Sequence, residues 1–430
     1  MAPPDTDLRC ASDAESSEVQ RNLPGCRARG CVTMVGMDTP PFEVLRPEQL
    51  RRHTSLKWQH YSSDVLPLWV AEMDVLPAPE VVEALSAAVT SGDTGYPHFG
   101  TTYREALAEF ARARWAWEPD PADMLLCADV MTGIRVLVER FCPPRGVVVI
   151  PSPAYPPFSG FTREVGRKVV AVPLTAEGRL DVGAIDEAMA ANPTDAASRR
   201  TVLLLCSPHN PTGVVHTAEE LAAVAASARR HGALVVVDEV HAPLVPEGAT
   251  FVPWFAVADD GFVVTSAAKA FNLAGLKAGL IVGGPQSRVH LKRLPDSVVW
   301  GGSHLGVIGH AAAYRSDPSW LDAVNANIAT NRALLAALLA ERLPGVGYRE
   351  PEATYLAWLD LRGVGLGPDP AEILLALGRV ALTAGRPFGR GGLGHARVNL
   401  ACSQEVLTEA VERMARAVAA HAEQVGTHSR

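Results

Sequence analysis

The chain has 430 residues, a 48 % hydrophobic and 20 % charged composition, and a formal net charge of −8. That length accommodates two domains, and the acidic balance argues against nucleic acid or an anionic membrane surface as a main partner. No apolar run approaches the roughly 18 residues that span a bilayer, and seven scattered cysteines form no disulfide framework, so a cytoplasmic protein is expected.

Residues 1–40 are rich in Ser, Asp, Pro, Gly and Arg without apolar periodicity, and a disordered tail is expected. Cys26 and Cys31 have no second Cys/His pair, so no metal site is expected. An apolar segment, 66–74, ends in acids. Pro79-Glu80 opens a helix through Val89, and Thr101 or Thr102, with Glu105, caps another to about Trp115. From Met124 to Val282 strands alternate with helices. The strands expected are Met124–Cys127, Val147–Ile150, Val169–Val172, Val202–Cys206, Leu234–Val237, Phe262–Thr265 and Leu280–Val282. They are continuous apolar runs, the pattern of strands buried on both faces of a mostly parallel sheet. Helices are expected at Ile134–Phe141, Ala184–Ala191 and Ala218–His231, which makes this a doubly wound α/β domain. A long helix, Ser319–Glu341, leads to a smaller α+β domain with strands Tyr355–Leu361, Val380–Thr383 and Arg397–Ala401. The expected division is 41–90 packing with the small domain, 91–325 as the large domain and 326–430 as the small one.

Four features fall at strand ends, where ligands bind in open α/β sheets. Thr132-Gly133-Ile134 follows the first strand and opens a helix, a turn whose amides and dipole suit an anion. Ser207-Pro208-His209-Asn210-Pro211-Thr212-Gly213 can aim the Asn210 amide at a ligand oxygen, or form an Asx turn. Asp238 ends a wholly apolar strand, where an acid needs a partner; a pyridinium nitrogen is one, and a loop cap is the alternative. In Thr265-Ser266-Ala267-Ala268-Lys269, the lysine stands just past a strand end. Partly desolvated there, it can bond to a carbonyl cofactor; alone, it is an ordinary loop lysine. Together the features match pyridoxal 5'-phosphate. Lys269 matches the aldehyde, 132–134 with Ser266 the phosphate, Asp238 the ring nitrogen and Asn210 the ring hydroxyl. Tyr155 can stack on the ring.

On these residues, the stretch 40–425 resembles the fold-type I pyridoxal-phosphate enzymes of the class I/II aminotransferase superfamily. It is most similar to their MalY/PatB-type cystathionine (cysteine-S-conjugate) β-lyase branch. Trp69-Val70-Ala71-Glu72-Met73-Asp74, Asp238-Glu239-Val240-His241 and Ser266-Ala267-Ala268-Lys269-Ala270-Phe271-Asn272 carry that likeness. The resemblance implies a PLP-dependent transferase-like large domain and a smaller α+β domain. It makes Lys269 catalytic, with Asp238, Asn210, Tyr155, Ser266 and His241 on the cofactor. Arg397 would hold the substrate carboxylate, with Ala71 and Tyr155 also at the substrate. Tyr96 would reach the phosphate of a neighbouring subunit, implying a homodimer with a shared active site. Two departures are Glu72, where aspartate is usual, and Lys277, where a phosphate-binding arginine is common. The expected reaction is β-elimination to a thiol, pyruvate and ammonia, with an aminotransferase as the alternative. True aminotransferases usually have tyrosine where His241 stands.

Overall fold

A computed structural model describes residues 39–194 and 201–428. The expected 1–40 tail and Cys26–Cys31 pair lie almost wholly, and wholly, outside them. In chain order the strands are β1 (Leu66–Pro67), β2 (Met124–Cys127), β3 (Val147–Ser152), β4 (Lys168–Pro173), β5 (Thr201–Cys206), β6 (Leu234–Asp238), β7 (Phe262–Thr265), β8 (Gly279–Gly283), β9 (Gly347–Tyr348), β10 (Leu356–Asp360), β11 (Val380–Ala381), β12 (Thr383–Ala384) and β13 (His395–Asn399). Seven of them form one sheet in the order β2-β8-β7-β6-β5-β3-β4. Only β8 runs against its neighbours, β2 and β7; every other pair in the sheet is parallel. The carboxyl ends of β2, β3, β5, β6 and β7 therefore share one edge.

The continuous apolar strands have a direct packing cause. Successive side chains of a strand point to opposite faces. In β6, Val235 and Val237 enter one buried cluster, while Leu234 and Val236 enter another on the far face. The same division holds for β3, β5 and β7, so both faces must be apolar. The helix α1 (Val130–Phe141) covers the second face with Ile134, Leu137, Val138 and Phe141. Gly133 allows its close approach: a Cβ there would lie 2.9 Å from Val264 Cγ1.

A four-stranded antiparallel sheet, β12-β13-β10-β9, occupies the later part of the chain. The early segment joins it. β1 pairs in parallel with β11, the Asn399 amide donates to the Leu68 carbonyl, and the Asp74 amide donates to the Ala401 carbonyl. Two of the longer helices went unread from the sequence, Pro156–Glu164 and His304–Tyr314. The latter is apolar around its circumference, so it lacks the one-sided stripe by which surface helices are recognised. The helix Thr101–Trp115 is not capped by either threonine. Gly100, at φ 68°, takes the N-cap position, and the Thr101 hydroxyl donates back to the His98 carbonyl at 3.2 Å. No described helix is long and apolar enough to cross a membrane.

The early segment carries a buried ion pair. Lys57 Nζ lies 2.8 Å from Asp74 Oδ2, both side chains being 2 % exposed, although the approach is off the direction of a hydrogen bond. Trp58 Nε1 donates to the other carboxylate oxygen at 2.8 Å. Removing one partner of such a pair strands a charge in the interior. Asp74→Asn should therefore lower unfolding stability by about 3–5 kcal/mol, measured by urea titration.

Candidate active site

At the shared edge, the loops after five strands enclose a cavity of about 230 Å³. Asp238, the last residue of β6, contributes the acid. Its Oδ1 accepts the Val240 amide at 3.0 Å, and Oδ2 has no hydrogen-bond partner among the described residues. Burial pushes its carboxyl up to about 7, against the opposing pull of the Val240 bond and Lys269. Across the cavity, burial first and Arg397 second bring Lys269 down to about 8. Its Nζ donates to the Ala71 carbonyl at 3.0 Å. The amine is thus close to the protonation balance a base needs near neutrality.

Arg397 lies mid-strand in β13, paired on both sides by β10 and β12, and is 4 % exposed. Its Nη1 donates to Asn210 Oδ1 at 3.0 Å and its Nη2 to the Trp69 carbonyl at 3.3 Å. Nε is buried without a partner, and no described carboxylate pairs with the group. A buried guanidinium without a counter-ion is costly. A ligand carboxylate meets that need with two parallel bonds. Because Asn210 Oδ1 is used by Arg397, its Nδ2 is left to donate elsewhere.

Tyr155, directly after β3, and Val240, directly after β6, also line the cavity. His241 is buried there with Nδ1 unpartnered. Burial, then the charges of Lys269 and Arg397, hold its imidazolium form down to about 3. It is therefore a neutral ring at working pH. Tyrosine in that place would present a phenolic O–H instead.

The helix cap sits earlier than the sequence indicates. Asp129, not Thr132, caps α1: its Oδ1 accepts the Thr132 amide at 2.7 Å, and its carbonyl accepts the Gly133 amide. Ile134 is fully buried in the apolar layer and Gly133 packs on the sheet. Thus the expectation that 132–134 hold an anion is corrected. The amides left without helical acceptors are those of Val130 and Met131, which line the cavity. Asp129 went unnoticed in the sequence, although an acid at N-cap spacing before an apolar helix is a readable signal. Its Oδ2 is 2.9 Å from Lys277 Nζ, just before β8. Ser266 also lines the cavity, but its hydroxyl donates to the Ala278 carbonyl at 2.8 Å and accepts the Ala268 amide. Tyr96 is away from this cavity, 86 % exposed and edge-on to Trp300.

Residues 63–414 match the family of class I and II aminotransferases. The chain belongs to that family. A provisionally named cystathionine beta-lyase of Mycobacterium leprae is 46 % identical over 89 % of this chain and 99 % of its own length. The cystathionine beta-lyase of Corynebacterium glutamicum is 36 % identical, over 86 % of this chain and 98 % of its own. Among solved structures, a provisionally named PLP-dependent β-cystathionase of Corynebacterium diphtheriae superposes with a TM-score of 0.80 at 34 % identity. It covers 87 % of this chain and 98 % of that one. Within the family the chain falls on the cystathionine β-lyase branch, and the expected α/β fold with a large, mostly parallel sheet is the observed one.

The observed groups fit pyridoxal 5'-phosphate. An acid with an unpartnered oxygen suits its ring nitrogen, an amine of lowered pKa its aldehyde, and two open helix amides beside Lys277 its phosphate. The acid is costly to the protein alone. A carboxyl raised from 3.8 to about 7 stabilises the fold below pH 4, and that stability is lost as the pH rises through 7. Asp238→Asn should therefore stabilise the cofactor-free protein. The gain should grow between pH 4 and pH 7 and level off above, at about 2–4 kcal/mol. Denaturation at a series of pH values measures it, and a gain independent of pH contradicts the argument.

Proposed function

We propose that this protein cleaves the C–S bond of cystathionine or another cysteine S-conjugate by β-elimination, giving a thiol, pyruvate and ammonia. The observation that carries the reading is Arg397, a buried guanidinium without an acid partner, facing the cavity that holds Lys269 and Asp238. An α-amino acid brings the carboxylate that Arg397 lacks, and its Cα then lies within the same small cavity as the lysine amine. Pyridoxal 5'-phosphate, when bound, supplies the sink for the electron pair left at Cα. Asp238 keeps the proton on the ring nitrogen, which makes that sink effective. Asn210 would donate to the ring hydroxyl, and Tyr155 would cover a ring face. The Val130 and Met131 amides and Lys277 would hold the phosphate, with Ser266 lining the same part of the cavity.

Lys269, as free amine, takes the Cα proton. The C–S bond breaks, sulfur leaves as thiolate, and the three-carbon remainder hydrolyses to pyruvate and ammonia. His241 stands where tyrosine is usual in transaminases, and that difference favours the elimination reading. The exposed Tyr96, Phe99 and Trp300 support a homodimer in which Tyr96 reaches the partner's phosphate site, since such aromatic groups on a surface mark an interface. The buried thiols Cys127, Cys142, Cys206 and Cys402 support a cytoplasmic setting.

Purified protein with bound cofactor should release pyruvate from L-cystathionine without any keto-acid acceptor. Turnover that needs a keto acid would instead make it an aminotransferase. Lys269→Ala should lower kcat by about 10²–10⁴-fold. Arg397→Ala should raise KM by about 10–100-fold, the worth of a charge-assisted pair of bonds.

A further inference from the structure

The segment Trp69–Asp74 crosses the mouth of the cavity with no secondary structure of its own, yet each carbonyl from 69 to 73 has an assigned donor. Thr383 Oγ1 and Arg397 Nη2 donate to the Trp69 carbonyl. Asn399 Nδ2 donates to Val70 at 2.8 Å and to Glu72 at 2.6 Å. The Asn272 amide closes a pair with Met73, accepting its N–H at 2.8 Å and donating to its C=O at 2.9 Å. Only the Ala71 carbonyl is turned to the catalytic lysine. It takes two donors, Lys269 Nζ at 3.0 Å and the Tyr355 hydroxyl at 3.1 Å. Tyr355 is fully buried immediately before β10, so one oxygen receives both the base and a residue of the second sheet.

We infer that the Ala71 carbonyl is the resting acceptor for Lys269 whenever its amine is free, and that Tyr355 is a positioning residue that weakens this acceptor by sharing it. The inference rests on Lys269 being the base of the proposed reaction. A carbonyl that accepts from an ammonium favours the charged form. An oxygen already accepting from a hydroxyl is a poorer acceptor for a second donor. Tyr355 thus lets the lysine rest in a fixed place without being locked as ammonium. The strap cannot drift to compensate, because Asn399 and Asn272 fix its carbonyls on either side. The other charges facing Lys269 are Arg397 on β13, Asp238 on β6, Glu72 on the strap and Lys277 before β8. Arg397 and Lys277 oppose the ammonium, while Glu72 and Asp238 favour it. Neutral His241 lies edge-on to the Tyr355 ring at 6.3 Å. Tyr355→Phe changes none of these charges.

The test is Tyr355→Phe, which removes one oxygen and keeps the packed ring. In the holoenzyme, the acid limb of kcat should move to higher pH by about half to one unit. At pH 7 that lowers kcat by about three- to tenfold, with KM within about twofold because Arg397 is untouched. A second readout needs no substrate: the pH dependence of acetylation of Lys269 in the cofactor-free full chain, followed by peptide mass spectrometry, should shift in the same direction. If pyruvate is never formed, the lyase reading fails while this titration still decides the inference. An acid limb or labelling curve that stays in place, or moves down, overturns it. So does a lowered melting temperature with no shift, which marks a merely structural hydroxyl.

Discussion

An ionisable acid at the end of a strand buried on both faces is the constraint around which the rest of the site is arranged. Asp238 occupies that position because β6 delivers it to the edge of the large sheet, between β5 and β7. Its side chain is buried there, and among the described residues one backbone amide is its hydrogen-bond donor. The result is a carboxyl whose charge the protein alone supports poorly, facing a lysine whose charge is equally disfavoured. Each group is unstable in isolation. A cationic ring nitrogen opposite one and a carbonyl opposite the other would relieve both, so the two disfavoured charges suit such a ligand.

In the proposed reaction Arg397 extends the same logic to the substrate. It comes from β13 of the second sheet, yet it bonds to Asn210 from the loop after β5 and to the carbonyl of Trp69. Three distant parts of the chain meet in one guanidinium. The strap Trp69–Asp74 is the mediator: it runs beside β13, is bound by Asn399 and Asn272, and lays the Ala71 carbonyl against Lys269. Electrostatics at the cavity and mechanical attachment of the strap are therefore one feature. The strap carries the acceptor of Lys269 and one of the acceptors of Arg397.

Much of the large sheet was legible in the sequence because both of its faces are buried, and the resulting unbroken apolar runs are easily read. Asp238 and Ser266 stood out because each closes such a run, and Asn210 and Lys269 because they stand in the loops that follow one. The helix cap was misplaced by three residues. The pattern Thr-Gly looked like a cap, whereas Asp129 had already started the helix and turned Gly133 and Ile134 toward the sheet. The helix His304–Tyr314 was missed because it is enclosed on all sides and carries no polar face to set its period.

By itself, then, the sequence determined the layered α/β architecture and the chemical types at the strand ends. Those depend on local periodicity and on the cost of placing a charge after an apolar run. The tertiary structure alone decided which groups share an atom. That Lys269 and Tyr355, 86 positions apart by their numbers in the chain, both donate to Ala71, and that Arg397 has no acid partner among the described residues, are consequences of chain crossing. No local pattern encodes them, because a hydrogen bond between distant residues is fixed only when packing has chosen where each backbone carbonyl points.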